Sequence, residues 1–105
     1  MQLSDAKVTC VREIEHRRGV QWTMKISIGN RLICVAENAG IGGPNDYTDY
    51  DRKAWSELEA LAEKALNCNH DSMEMLLSCC EIGDTLQDAV EPALFHYRRF
   101  LGGNQ

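Results

Sequence analysis

The chain has 105 residues, of which 44% are hydrophobic and 26% charged, and its formal net charge is −5. This composition is typical of a single globular domain over residues 1–105, and the length excludes a TIM barrel or a two-domain enzyme. Residues 1–35 carry six Lys or Arg against three Asp or Glu, whereas residues 36–105 carry five against thirteen, which argues against direct nucleic-acid binding by the second part.

The clearest strand pattern begins at residue 20. Residues 20–28 alternate apolar and polar side chains, which is the period of a half-buried strand. The next two residues, Gly29 and Asn30, favour a two-residue type II′ turn into another strand. This turn pairs Ile26 with Ile33, so we expect a β-hairpin with one apolar face.

A further strand precedes this hairpin. Residues 7–16 join it through a three-residue loop with Gly19 in the left-handed position, which pairs Ile14 with Trp22. A shift by one residue would turn two glutamates onto the apolar face, so we reject that register. The sequence therefore predicts a three-stranded antiparallel meander within residues 1–38.

The next segment, residues 39–50, is predicted to be a glycine-rich loop. Three glycines within four residues permit positive φ angles and leave amide groups unshielded, as anion-binding sites require. The spacing matches neither a Walker A loop nor a dinucleotide-binding fingerprint. Two interpretations stay open: a crossover closed by turns at Asn38 and Asn45, or a phosphate or nucleotide site. The ligand-binding residues of the second interpretation are Gly40, Gly42, Gly43 and Asn45.

Residues 51–101 form the predicted helical part. Over residues 51–66 the apolar side chains recur every three or four positions, which is typical of an amphipathic helix. Thr48 with Asp51, or Asp49 alone, is the predicted N-terminal cap. We expect an α+β fold in which two to three helices pack on one face of the meander.

Two shorter helical segments follow. Asp71 and Glu74 have the spacing of a capping pair and predict a short helix that stops near Gly83. The apolar side chains of residues 84–101 keep helical spacing through Pro92. Proline lacks a backbone donor, so we expect a kink in this third helix.

The loop carries a resemblance to proteins of mobile elements. From Asn38 to Tyr47 it has the pattern N-x-G-x-G-G-x-N-x-Y, and the following helix carries Ala54 and Trp55. This arrangement, over residues 20–66, resembles small proteins encoded by phages, prophages and plasmids. The resemblance implies a mobile-element origin. Small acidic proteins of such elements often resemble counter-defence factors, including anti-CRISPR proteins, which block a host nuclease complex by binding it.

An acidic surface is the second functional candidate. Glu59 and Glu63 are one helical turn apart, and like charges at this spacing cost roughly a few tenths of a kcal/mol, so this face is not arranged for helix stability alone. The alternative is a solvated helix face without a partner. The predicted partner-binding residues are Asn38, Asn45, Asp46, Tyr47, Asp49, Asp51, Glu59 and Glu63. We expect a non-enzymatic module that binds a basic protein surface and inhibits a host defence complex.

Metal binding and catalysis have weaker support. Cys68 and His70 are closely spaced candidate metal ligands, but the usual C-x₂₋₄-C pattern is missing and cysteines are commonly core residues. The other cysteines and histidines are too scattered to predict a nucleophile with its base. We therefore expect no cofactor and no enzymatic activity.

The cysteine count and the apolar runs indicate a location. Five cysteines, an odd number, match no secreted disulfide scaffold. No apolar run approaches the ~20 residues that span a bilayer, and residues 1–20 lack the apolar centre of a secretory signal. We expect a cytoplasmic protein with no membrane contact, in which the open sheet edges also allow a homodimer.

Overall fold

The computed structural model describes residues 1–69, 71–99 and 101. In this part of the chain the elements are β1 Ala6–His16, β2 Gly19–Ile28, β3 Arg31–Asn38, β4 Asp46–Asp49, α1 Arg52–Leu66, α2 Ser72–Ser78 and α3 Val90–His96. The strands form one antiparallel sheet in the order β1-β2-β3-β4. The predicted α+β class is therefore confirmed.

The sheet has one strand more than predicted. β4 lies inside residues 39–50, which were expected to be loop, and its Tyr47 pairs with Ala36 of β3. Aspartate is depleted in strands. Because β4 begins with Asp46 and ends with Asp49, its sequence does not have the composition of a strand. Its position is set by tertiary contacts instead, because the Tyr47 ring packs against Trp55 of α1 with the ring centroids 5.5 Å apart.

The turn between β2 and β3 is as predicted, but the register beyond it is not. Gly29 has a φ of 60°, which a type II′ turn requires at its first position. A β-bulge then makes Ile26 pair with Cys34 instead of Ile33. The Ile33 carbonyl accepts a hydrogen bond from the Tyr50 amide at 2.8 Å, so the bulge ties the sheet to the segment before α1.

The hairpin between β1 and β2 also differs from the prediction. Its loop has two residues, not three, and it closes with the pair of His16 and Gly19. A second β-bulge lies after Val8, which pairs with Ile26. The extra residue of this bulge is Thr9, whose hydroxyl lies 3.2 Å from the Ser27 hydroxyl.

This second bulge reverses the predicted faces of the far half of β1. Glu13, not Ile14, pairs with Trp22. Glu13 lies beside Trp22 on the helix side of the sheet, and Ile14 is 54% exposed. From Cys10 to His16 the strand adopts the rejected register, which places the glutamates on the helix side of the sheet. The bulge shifts the alternation by one residue, so Val8 beyond it still packs in the core.

Helix α1 follows the predicted amphipathic pattern. Its N-cap is Asp51, whose side chain accepts a hydrogen bond from the Ala54 amide at 3.0 Å, and it ends at Asn67 in the left-handed conformation. The two residues predicted as the cap, Thr48 and Asp49, both lie in β4 instead, so the helix begins later than predicted. The buried side chains of α1 are Ala54, Trp55, Leu58, Ala62 and Leu66.

The last two helices are shorter than α1. Helix α2 buries the predicted apolar side chains Met73, Leu76 and Leu77. The third helix was predicted over residues 84–101, but α3 begins only at Val90, after a 3₁₀ turn at Gln87–Ala89. Pro92 therefore lies in the first turn of α3, where amides have no partner within the helix, and not in the interior of a longer helix as predicted.

One apolar core joins the sheet to the helices. Its fully buried large side chains include Ile26, Ile33, Leu58, Leu76 and Leu86. All five cysteines are free thiols. No helix of the described residues is long and apolar enough to cross a membrane.

Candidate functional site

Three adjoining cavities form one groove between the sheet and α2. The first, of about 170 Å³, lies between Tyr47, the α1 carboxylates and the start of α2. The second, of about 430 Å³, shares Asp71 and Glu74 with the first. The third, of about 590 Å³, shares Trp22 and Ser78 with the second. We call this row of cavities the acidic groove; its carboxylates are Glu13, Glu59, Glu63, Asp71, Glu74 and Glu81.

The groove is negatively charged along its length. None of the described residues that line it is Lys or Arg. The pKa of Glu59 is raised by partial burial and by the nearby charges of Glu63 and Asp49. These carboxylates therefore repel one another, and the groove attracts cations.

Aromatic side chains share the groove with the carboxylates. Trp22, Tyr47 and Tyr97 are half-buried and line the cavities. Burial, together with the charges of Glu74 and Glu59, raises the pKa of Tyr47 to about 12, so its phenol stays neutral. The faces of such rings attract Lys and Arg side chains, which adds to the pull of the carboxylates.

The asparagines of the glycine-rich loop hold the loop in shape. Asn38 donates to the Asn45 side-chain oxygen at 2.9 Å and to the Gly43 carbonyl at 3.2 Å, and it accepts from the Gly40 amide at 2.8 Å. Asn45 in turn donates to the Tyr47 hydroxyl at 3.1 Å. The N-x-G-x-G-G-x-N-x-Y pattern is thus one hydrogen-bond network, as the crossover interpretation predicts, and its two asparagines line the second cavity.

The three loop glycines have different surroundings. Gly40 has a φ of 76°, and a Cβ there would collide with the Val20 carbonyl of β2. Gly42 has a φ of 89°, and neither it nor Gly43 has an atom within 4 Å of an added Cβ. Close packing therefore explains why residue 40 is a glycine, whereas Gly42 and Gly43 lie open to solvent.

The aspartates of the predicted acidic surface do not line the groove. Asp51 caps α1 and forms an ion pair with Arg31. The Ala54 amide and the Arg31 charge hold the pKa of Asp51 below its ordinary value. Asp49 pairs with Arg52 at 3.4 Å. Asp46 is exposed and faces away from the helices, because its neighbour Tyr47 faces them.

The structure brings Glu59 and Glu63 together with carboxylates that sequence reasoning missed. Asp71 and Glu74 were interpreted only as a capping pair, although their spacing also places them side by side at one end of α2. Glu13 joins the groove only because of the bulge in β1, for which the sequence has no signal.

The cysteines give little support for catalysis or metal binding. Burial raises the pKa of Cys34 to about 12 and that of Cys80 to about 12, so both thiols stay protonated at neutral pH. His70, the predicted metal partner of Cys68, lies outside the described residues. Among the described residues no group of three His, Cys, Asp or Glu side chains is placed to hold a metal ion.

Comparisons with known proteins add no assignment to this geometry. The chain matches no protein-family model, no curated protein and no solved structure. The resemblance of the loop to proteins of mobile elements therefore stays a prediction, and the function is argued from the groove itself.

Proposed function

We propose that the chain is a protein-binding module without enzymatic activity, whose acidic groove takes a segment of a partner protein that carries Lys or Arg side chains. The observation that carries this proposal is the run of six carboxylates with no Lys or Arg among the described lining residues. Such a surface speeds association with a basic partner and disfavours acidic ones. The same charge disfavours nucleic acid as an occupant of the groove.

The shape of the groove supports an extended protein segment as its occupant. The three cavities lie in a row and share residues where they meet, at Asp71 and Glu74 and again at Trp22 and Ser78. A row of this kind fits several consecutive side chains better than one compact ligand. The half-buried rings of Tyr47 and Tyr97 add apolar surface for the aliphatic parts of Lys and Arg.

The electrostatics of α1 give independent support. The pKa of Glu59 is raised first by partial burial and then by the charges of Glu63 and Asp49, so its charged form is held at a cost to folding. A cation bound between these carboxylates relieves that repulsion.

A narrower proposal follows from the loop resemblance. The partner is then a host defence complex such as a CRISPR nuclease, and the chain is a phage-type inhibitor that covers a basic surface of that complex in the cytoplasm. The free state of all five thiols is compatible with a reducing compartment.

The test is the binding of a fluorescent lysine-rich peptide, followed by anisotropy. The double variant Glu59→Gln/Glu74→Gln removes two groove charges, and the control Glu37→Gln/Glu57→Gln removes two exposed charges outside the groove. We expect the first variant to weaken binding at least about tenfold, and added salt to weaken wild-type binding steeply. Equal affinities of the two variants would refute the groove as the site.

A second candidate function is phosphate or nucleotide binding at Gly40, Gly42, Gly43 and Asn45. One observation favours it: Gly40 packs against the start of β2, so the loop lies beside the hairpin tip that carries the exposed Arg17 and Arg18. A ligand that binds only the folded state raises the melting temperature. A panel of nucleotides tests this candidate, and Gly42→Val should remove any rise that they cause.

A further inference from the structure

The outer edge of β1 is covered over only part of its length. The Val8 amide donates to the Asp84 carbonyl and the Val8 carbonyl accepts from the Gly83 amide, both at 2.8 Å. The Ala6 carbonyl accepts from the Leu86 amide at 2.9 Å. Beyond Val8, no backbone hydrogen bond of the described residues reaches this edge.

The pairing pattern shows which residues leave their backbone groups on the open edge. In an antiparallel pair, residues alternate between facing the neighbouring strand and facing away from it. The pair of His16 with Gly19 closes a two-residue turn, so it is hydrogen-bonded. The alternation from His16 back along β1 places the amides and carbonyls of Glu15, Glu13 and Val11 on the outer edge. Val8, on the other side of the bulge, also faces outward, since it bonds to residues 83 and 84.

The side chains around this open edge are acidic on the groove side. Val11 and Glu13 line the third cavity together with Glu81 and Ile82. The Glu15 side chain lies on the same face as Glu13 by strand alternation. On the opposite face, Ile14 is 54% exposed.

Pairing with a second copy of the chain is disfavoured in the registers centred within residues 12–15. In a symmetric antiparallel pair, a register centred on Arg12, Glu13 or Glu15 places that residue opposite its own copy. A register centred on Ile14 places Glu13 opposite Glu15. Like charges directly opposite one another destabilise a sheet, so each of these registers is disfavoured. A cationic strand meets no such repulsion.

We infer that residues 11–15 of β1 bind the partner's cationic segment as an added strand. This inference rests on the proposed function and names the conformation in which the segment reaches the groove. The strand hydrogen-bonds to the backbone of Val11, Glu13 and Glu15, and its Lys or Arg side chains at alternate positions face Glu13, Glu15 and Glu81. Side chains between them contact Ile14. Main-chain hydrogen bonds then supply affinity, and the charges supply selectivity.

Amide hydrogen exchange followed by NMR tests this inference on the whole chain. The probe is a peptide of alternating lysine and threonine, and its binding is monitored separately by anisotropy. In the free protein the amides of Glu13 and Glu15 should exchange faster than those of Arg12 and Ile14, which bond to β2. The peptide should slow amide exchange at Glu13 and Glu15 at least about tenfold. The exchange rates of the Arg12 and Ile14 amides should change little.

Two versions of the peptide provide a matched control. Each carries backbone N-methyl groups on every second residue, one version on the lysines and the other on the threonines. Strand addition predicts that only one version loses binding, because only one set of peptide amides donates to β1. Binding with unchanged exchange at Glu13 and Glu15, or with equal effects of both methylations, would overturn the inference and leave the proposed function standing. No binding of the unmodified peptide would overturn both.

Discussion

Gly19 and Gly40 lie against each other backbone to backbone, so that a Cβ added at either residue would collide with main-chain atoms of the opposite segment. This contact fixes the glycine-rich loop against the start of β2. The asparagines of the loop then place Tyr47 at the end of the groove through Asn45. The loop therefore positions the groove as well as crossing between strands.

The first prediction concerns this contact. Gly40→Ala should lower the free energy of unfolding by about 2 kcal/mol, because alanine is strained at a φ of 76° and its Cβ meets the Val20 carbonyl. The matched control is Gly43→Ala, where an added Cβ meets open space and φ is not positive. Urea denaturation measures both variants. Similar unfolding midpoints for the two would show that the contact is unimportant.

The second prediction uses the raised pKa of Glu59. A carboxyl whose pKa is higher in the folded state makes stability fall as the pH rises through the window from its unfolded to its folded pKa. Glu59→Gln should therefore stabilise the protein at neutral pH by roughly 0.3 kcal/mol, an effect limited by solvent screening, and this gain should vanish at a pH below the unfolded pKa.

The control for Glu59 is Glu57→Gln, an exposed position on the same helix outside the groove. Thermal melts at several pH values compare the two variants. The same Glu59 variant should also bind the lysine-rich peptide more weakly, which would link the cost in stability to the function. A Glu59→Gln variant less stable than wild type at neutral pH would contradict the assigned repulsion.

The third prediction concerns the cap of α1. The pKa of Asp51 is lowered by the Ala54 amide and then by Arg31, so its stabilising effect is present above the unfolded pKa and is lost as the pH falls through the folded pKa. Asp51→Ala should lower the urea midpoint at neutral pH, and the difference from wild type should disappear at strongly acidic pH. Asp46→Ala, on the outer face of the sheet, should change the midpoint little.

The fourth prediction concerns the thiols. Cys34 and Cys80 are buried, and burial raises the pKa of each to about 12. In the folded protein both should react with a thiol reagent far more slowly than a free thiol, and in denaturant all five cysteines should react. Mass spectrometry of labelled peptides identifies the sites. Rapid labelling of native Cys34 or Cys80 would instead reopen thiol catalysis.

Local patterns were sufficient to predict some parts of the fold. The spacing of Ala54, Trp55 and Leu58 predicts α1 because it depends only on neighbours along one helix. The type II′ turn at Gly29 is likewise a local preference. The α+β class follows from such elements in sequence.

Contacts between segments far apart in the sequence determine the parts of the fold and of the groove that local patterns do not predict. The bulge after Val8 coincides with the point where residues 83–86 stop covering the edge of β1, a contact between segments far apart in the chain. It turns Glu13 inward, so the third cavity was not predictable from alternation. Glu74 reaches the groove only through the docking of α2 beside β4 and α1, which the capping pattern does not encode.

The most direct test of the acidic groove is an NMR titration of the isotope-labelled protein with the lysine-rich peptide. The largest shift changes should fall on the backbone amides of Asp71 and Glu74 and on the Trp22 indole, whereas the Asp46 amide, on the outer face of the sheet, should stay unchanged. Saturable changes at these groove positions would support a site for basic protein segments. Changes centred on Asp46 and the outer face of the sheet, or none at saturating peptide, would contradict it.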